Sequence, residues 1–395
     1  MPNTENLKSN KNLQKSYFEF YKPIIKSRRK SLWFCGHKPY LKLRGKVKTI
    51  AVHKSGGGLG DLIQAIPFFR NLRYMFPDAK IIYLGLYQRP FCDSIFKNIP
   101  YIDEYIEYKM PGNESTFKEY FNFWKKHFNK FDLLIDTQSK FPPGFWLWLL
   151  NPNYFLSRSP FFSHWKFILN PKKKFHVAGK MLFLLQVLGL EDIDSNPAGN
   201  IEKSYLSFTQ GYLKKFSGPF ISILPTAGHP YKMWPKEKFA LLADKFYSLG
   251  YEVILAGASS EEGILKEVAE IMKNKPIIPL VDEPKFGKDP IYSASLFKSS
   301  LITIGNDCGG LNLATFAGCP VIGIYGPTTA TKSGPLGNKN IVIHKGMDCS
   351  PCKWFLQNCN MDRKCLKDIT VEQVFTTAKE LLNKLNPHLG DEKVS

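Results

Sequence analysis

The sequence predicts an α/β protein of two doubly wound halves, each a parallel sheet with crossover helices. Three observations carry this reading. Short β-rich runs alternate with stretches of helical periodicity from Lys48 onward. The alternation lapses in a polar connection that begins at Gly189 and runs to residue 217, then resumes at Phe220. In both halves a glycine-rich loop separates a strand from the next helix, where a doubly wound sheet receives its ligand. A chain of 395 residues exceeds one ordinary core, and two domains accommodate it.

The elements follow in order. Residues 1–46 form a basic extension in which Tyr17, Phe18, Phe20, Tyr21, Ile24 and Ile25 approach helical spacing, broken by Pro23. The extension suits a membrane interface or a short helix packed on the body. Residues 47–200 make the first Rossmann-like domain. Thr49–His53 reads as a strand, the loop holds Gly56, Gly57, Gly58 and Gly60, and Leu62 to Met75 reads as a helix. Strands are expected at Lys80 to Leu86 and Asp132 to Asp136, with a helix from Phe117 to Phe128 between them. An aromatic insert, residues 141–175, interrupts the pattern with Phe141, Phe145, Trp146 and Trp148 and ends near Lys172-Lys173-Lys174. Helix resumes at His176 to Leu188.

Residues 218–370 make the second Rossmann-like domain. Strands are expected at Phe220 to Leu224, Tyr251 to Ala256, Leu301 to Ile304 and Pro320 to Ile324. The helix from Pro235 to Leu249 starts on proline, which suits a first turn. A terminal helix covers 371–386. Two such domains are expected to face one another across a cleft, with the active site near the carboxyl ends of the strands.

Composition narrows the function. Hydrophobic residues make up 44% and charged residues 22%, which sets wholesale disorder aside. No apolar run approaches the ~18 residues of a membrane-spanning helix, and the basic start has no apolar core of a signal peptide. A cytosolic chain is expected. Lys and Arg number 54 against 34 Asp and Glu, a net of +20, and residues 1–46 hold twelve basic against two acidic side chains. That surplus implies an anionic partner or reflects a lysine-rich composition. Nucleic acid is not expected, since the remaining basic residues are dispersed and no binding-module pattern occurs.

Three loops carry candidate chemistry. In Ser55-Gly56-Gly57-Gly58-Leu59-Gly60-Asp61 the glycines admit close backbone approach. The third glycine of a dinucleotide fingerprint would fall on Asp61, and no Gly-Lys-Ser/Thr closes a P-loop. Asp61 reads either as a helix cap or as a general base. In Leu224 to Pro235 a strand gives way to a helix, and Thr226 and Lys232 join free helix amides in a setting that suits an anion. Trp234-Pro235 also reads as a packing staple. In Gly305 to Ala314, with Gly318 to Thr328 following, Asp307, Cys308 and Gly309 precede a small-residue helix able to receive a phosphate.

Together these loops resemble the heptosyltransferase group, family nine of the glycosyltransferases, over residues 47–385. The resemblance is carried by Gly60-Asp61 with Pro67, by Phe76-Pro77-Asp78-Ala79, by Lys232 with Trp234-Pro235, and by the block from Asp307 to Thr328. Asp132 to Gln138 and His176-Val177 also fit the family pattern. The resemblance implies a GT-B architecture and no catalytic metal. It implies inverting transfer of a heptose from an ADP-heptose donor to the lipopolysaccharide core. Asp61 would then be the base, with Gly58 and Gly60 in the acceptor-side loop. Thr226 and Lys232 would face the donor diphosphate, and Asp307 with the Cys308 and Gly309 amides would hold the donor. The family pattern reads Asp-Thr/Ser-Gly-x-x-His; here Cys308 replaces the hydroxyl and Asn312 the histidine. Asn312 keeps a hydrogen-bond donor for phosphate and loses the charge.

The implied partners are a nucleotide-sugar donor, a lipid-linked oligosaccharide acceptor and the anionic cytoplasmic face of the inner membrane. The alternatives are a protein O-heptosyltransferase of the autotransporter-modifying type, or a family-nine enzyme using another nucleotide sugar. One feature favours the former. Cys349, Cys352, Cys359 and Cys365 fall within 17 residues of a chain read as cytosolic, where disulfides are disfavoured. A structural zinc or iron site is expected, with four free thiols as the other reading. The cluster resembles the iron-binding finger of those protein-modifying enzymes.

Overall fold

The computed structural model describes residues 39–54, 58–85, 89–107, 114–138, 141–158, 162–163, 176–352, 359 and 361–385. Most of the basic extension, the loop residues 55–57 and residues 164–175 with their lysine triplet therefore lie outside the described residues. The chain divides into two compact units, with the break between Asn196 and Pro197.

The N-terminal unit contains β1 (Thr49–His53), α1 (Leu59–Met75), β2 (Lys80–Gly85), α2 (Arg89–Lys97) and β3 (Glu104–Glu107). It continues with α3 (Glu114–His127), β4 (Leu133–Asp136), α4 (Phe141–Trp148), β5 (Tyr154–Ser157) and α5 (Val177–Val187). Its five strands are all parallel, in the order β3-β2-β1-β4-β5. Parallel strands buried on both faces need apolar runs rather than alternation. Ile50-Ala51-Val52 and Leu133-Leu134-Ile135 supply them, each with no solvent exposure. α1 packs against α5 and buries Leu62 to Phe69 almost without a break. Asp132 ties the sheet edge-on: one carboxylate oxygen accepts the Lys48 and Thr49 amides at 2.8 and 3.0 Å, the other the Asn153 side chain at 3.0 Å.

One expectation changes here. Residues 141–158 do not interrupt the alternation, because α4 and β5 extend it and β5 pairs with β4. Aromatic density hid an ordinary helix–strand unit: Phe155 and Leu156 face the core while Phe141 and Trp148 stay exposed. β3, with the sequence Glu-Tyr-Ile-Glu, lies at the sheet edge, where charged residues are tolerated and no apolar run announces a strand.

The C-terminal unit contains α6 (Lys203–Leu213), β6 (Phe220–Leu224), α7 (Lys236–Tyr247), β7 (Glu252–Leu255) and α8 (Glu262–Ile271). It goes on through α9 (Pro290–Lys298), β8 (Ser300–Asn306), α10 (Gly309–Phe316), β9 (Val321–Tyr325), β10 (Ile341–His344) and α11 (Val371–Leu385). This sheet is also all parallel, in the order β10-β9-β8-β6-β7. α6 occupies the stretch read as a polar connection, and its Thr209 and Leu213 are buried. Gly305 lets β8 lie close to β6: a Cβ there would fall 2.6 Å from that of Leu224.

Strand order locates the sites. In each sheet the direction of winding reverses at one place, between β1 and β4 in the first and between β6 and β8 in the second. Ligands of doubly wound sheets bind beyond the carboxyl ends of the strands at that reversal.

Candidate active site

At the reversal of the N-terminal sheet, three strands end in one buried network. Register places His53, Asp136 and Ser157 side by side. His53 Nδ1 donates to Asp136 Oδ1 at 2.9 Å, and Ser157 Oγ donates to Asp136 Oδ2 at 2.8 Å. The Gln138 amide adds a third bond to Asp136 at 3.0 Å. Thr137 returns its amide and hydroxyl to the His53 carbonyl at 3.1 and 2.9 Å. This lattice fixes where Lys54 leaves β1.

Lys54 is buried, and its ammonium lies 3.9 Å from Asp61 Oδ1. Burial pushes the lysine below its ordinary range, partly offset by the Asp61 charge. Asp61 itself is 41% exposed. It does not cap the helix: Gly58 holds the N-cap position, Gly60 lies in the first turn, and Asp61 comes third in α1. Its carboxylate there complements the positive end of the helix dipole. Capping, one of the two readings of Asp61, gives way to a solvent-facing carboxylate beside a buried cation. The lysine went unnoticed in the sequence, although its place at a strand end before a glycine loop is a usable signal.

At the reversal of the C-terminal sheet, Asn306 is a strut. Its Oδ1 accepts the Trp234 amide at 2.8 Å, and its Nδ2 donates to the Pro225 carbonyl at 2.9 Å. The β6 loop is thereby tied to the end of β8, with Thr226 buried beneath it. Trp234 is also buried. It donates from Nε1 to the Ile369 carbonyl at 3.0 Å and meets Phe239 edge to face, as the staple reading expects. Lys232 closes a short 3₁₀ turn, Pro230–Lys232, and reaches Asp307 Oδ2 at 2.8 Å. Thr328 Oγ1 donates to the same oxygen at 2.8 Å. Lys232, Asp307 and Thr328 thus converge from three loops.

Cys308 is the N-cap of α10 and Gly309 its first residue, so the helix amides open beside Asp307. Burial pushes the Cys308 thiol up to about 12, against the pull of the Leu311 and Gly310 amides. A sulfur stands where a hydroxyl would cap, neutral at physiological pH. Asn312 donates to the Cys308 carbonyl at 3.2 Å within its own helix and is buried. The structure therefore gives Asn312 a helix partner in the position read as phosphate-facing.

The four clustered cysteines are free thiols, Cys349 exposed and Cys365 buried. Among the described residues no group of three His, Cys, Asp or Glu side chains could hold a metal ion, so the expected zinc or iron site is unsupported. The segment does brace the loop after β9. The Cys352 amide donates to the Pro327 carbonyl at 2.8 Å, and a Cβ on Gly326 would fall 3.0 Å from Cys365 Sγ. Pro327 precedes Thr328, so the braced loop is the one that reaches Asp307.

Two all-parallel α/β units, each with polar groups gathered at its sheet reversal, have the architecture of the GT-B-like class of two-domain proteins. The chain belongs to glycosyltransferase family 9 (heptosyltransferase), whose sequence profile matches residues 157–361. Among curated proteins it is similar to lipooligosaccharide heptosyltransferase 2 of Campylobacter jejuni, 26% identical over 345 residues, 84% of this chain and 97% of that one. Among solved structures it is similar to a family 9 glycosyltransferase from Veillonella parvula. The TM-score is 0.69 at 24% identity, over 85% of this chain and 97% of that one. A second is the ADP-heptose lipopolysaccharide heptosyltransferase II of E. coli, with a TM-score of 0.64 at 18% identity, over 85% and 99%.

Proposed function

We propose that the chain transfers a heptose from ADP-heptose to a hydroxyl of a lipid-linked lipopolysaccharide core, with inversion, on the cytoplasmic face of the inner membrane. The observation that carries this reading is the convergence of Lys232, Thr328 and the α10 amides around Asp307 at the sheet reversal. A diphosphate leaving group calls for cationic and amide donors of this kind. The names of the similar proteins supply the sugar and the acceptor.

Asp61 takes the proton of the acceptor hydroxyl as its oxygen attacks the anomeric carbon. The bond from that carbon to the diphosphate oxygen breaks, and the electron pair stays with the diphosphate. Lys232 and the α10 amides stabilise the charge that develops there. Lys54 acts through Asp61, its side-chain nitrogen 3.9 Å from the carboxylate and held in place by the buried end of β1. Attack from the face opposite the leaving group inverts the anomeric centre.

The test is a thermal-shift panel of ADP-, UDP-, GDP- and CMP-sugars. A ligand at about a hundred times its dissociation constant adds about 2.7 kcal/mol. ADP-heptose should produce that shift, and a UDP- or GDP-sugar outranking it would replace the donor. Transfer to a deacylated core oligosaccharide, read by mass spectrometry, then tests the acceptor.

A further inference from the structure

Four of the eleven exposed large hydrophobic side chains among the described residues sit on two neighbouring helices, α3 and α4, and a fifth follows directly on the end of α3. They are Phe117, Phe121, Phe128, Phe141 and Trp148, between 36% and 53% exposed. Helical spacing aligns Phe117 and Phe121 with Trp124 along one stripe of α3, and Phe128, whose amide donates to the Trp124 carbonyl at 2.8 Å, continues it past the helix end. Phe141, Phe145 and Trp148 make a second stripe on α4. Phe117 meets Trp146 edge to face at 6.0 Å and joins the two. Single exposed hydrophobics need no explanation, but a joined aromatic patch does.

Lysines border it. Lys118 and Lys125 lie next round the helix from the α3 stripe, and Lys125 stands 4.6 Å from the centre of the Phe121 ring. Lys126 and Lys130 are also exposed, and Glu119 is the one acidic residue between 116 and 130. We propose that this α3–α4 face is the surface by which the protein docks on an anionic lipid bilayer. Half-sunk aromatic rings beside lysines match the interfacial zone, where ring bodies enter the headgroup boundary and ammonium groups meet phosphates.

Charge selects the occupant. A second copy of the chain carries +20, and its own residues 1–46 carry +10, the same sign as the lysine border. An anionic surface complements it. The inference rests on the lipid-linked acceptor proposed above, which places lipid against this protein in each catalytic cycle. Among the described residues no helix is long and apolar enough to cross a membrane, so docking would be peripheral.

The test is co-sedimentation of the full chain with vesicles of phosphatidylcholine alone or mixed with phosphatidylglycerol, at low and high salt. Wild type should bind the mixed vesicles and lose binding as salt rises. Phe117→Ser with Phe121→Ser, and separately Lys118→Glu with Lys125→Glu, should each lower partitioning roughly tenfold. Both pairs should leave the thermal midpoint and transfer to a deacylated acceptor unchanged. If both pairs sediment like wild type, the surface is overturned while a lipid-linked acceptor stands. Binding that survives both pairs and is lost only on deleting residues 1–46 overturns it in favour of the extension. If wild type binds neither vesicle, the surface and the lipid part of the proposed function fail together, and the donor panel still decides the sugar chemistry.

Discussion

At the scale of single residues, Asp61 and Lys54 form an unequal pair: an exposed carboxylate and a buried ammonium 3.9 Å apart. Asp61→Asn keeps the shape of the side chain and loses the proton acceptor. Turnover should fall about 10²- to 10⁴-fold while ADP affinity by calorimetry stays within about twofold of wild type. A variant retaining a tenth of wild-type turnover would remove Asp61 from the base role. Lys54 is costly to the fold. Its pKa is lowered in the folded chain, so between the folded value and the ordinary lysine value the unfolded chain binds more protons. Stability therefore rises with pH across that window, and the full penalty is present below it. Lys54→Met should raise the thermal midpoint at neutral pH and reduce turnover, with Lys54→Arg restoring part of the rate. A lower midpoint would mean that the ammonium contributes to the fold. Lys232→Ala should weaken ADP and slow leaving-group departure, together costing a few kcal/mol in kcat/KM; equal ADP affinity of variant and wild type would contradict that placement. The positions of Asp61, Lys232 and Asp307 beside glycine- or proline-punctuated turns could be picked out in the sequence, and their proposed roles came from the family resemblance. Lys54 was not picked out, since its significance depends on burial; its place at a strand end before a glycine loop marks the position and leaves the burial unstated.

At the scale of elements, register does most of the positioning. A one-residue slip of β4 would turn Asp136 to the opposite face of the sheet and separate it from His53 and Ser157. Asp136→Ala removes the acceptor of three hydrogen bonds from a fully buried site. It should cost on the order of 3 kcal/mol, read as a lower urea midpoint, with turnover falling further because Lys54 follows directly on His53. A loss below about 0.5 kcal/mol would show that the network is incidental. The strands carrying apolar runs, such as β1, β4 and β8, could be read directly from composition. β3 could not, because an edge strand pairs on one side only and tolerates charge. β5 was masked for the opposite reason: Tyr154-Phe155-Leu156 lies among so many aromatics that no period stands out. The metal reading of the cysteines is unsupported: among the described residues no group of three His, Cys, Asp or Glu side chains could hold a metal ion, although burial and then the neighbouring Cys352, Cys359 and Cys349 push the Cys365 thiol up.

At the scale of the whole molecule, two sheets of different strand order each gather polar groups at their own reversal, so the two proposed chemical roles fall to separate units. All the groups proposed to face the diphosphate lie in the unit that begins at Pro197, on the β6 loop, the β8–α10 turn and the loop after β9. The proposed base and its lysine lie in the other unit. Chain exit from the N-terminal unit is pinned by Asp194. Its carboxylate accepts Arg70 at 2.9 Å, its amide donates to Asn71 Oδ1 at 3.1 Å, and its carbonyl accepts Asn71 Nδ2 at 2.6 Å. Both partners belong to α1, the helix that carries Asp61. Position-resolved hydrogen exchange can read the division of roles directly. A ligand that binds the native form suppresses local opening where it makes contacts. Saturating ADP should therefore slow exchange most in residues 225–234, 305–311 and 326–329, and much less at the carboxyl ends of β1 and β4. Asp136→Ala should do the reverse, speeding exchange in β1, β4 and β5 while ADP still protects the donor-side loops. Protection by ADP centred on residues 54–61 would place the nucleotide on the wrong unit and exchange the roles of Asp61 and Lys232.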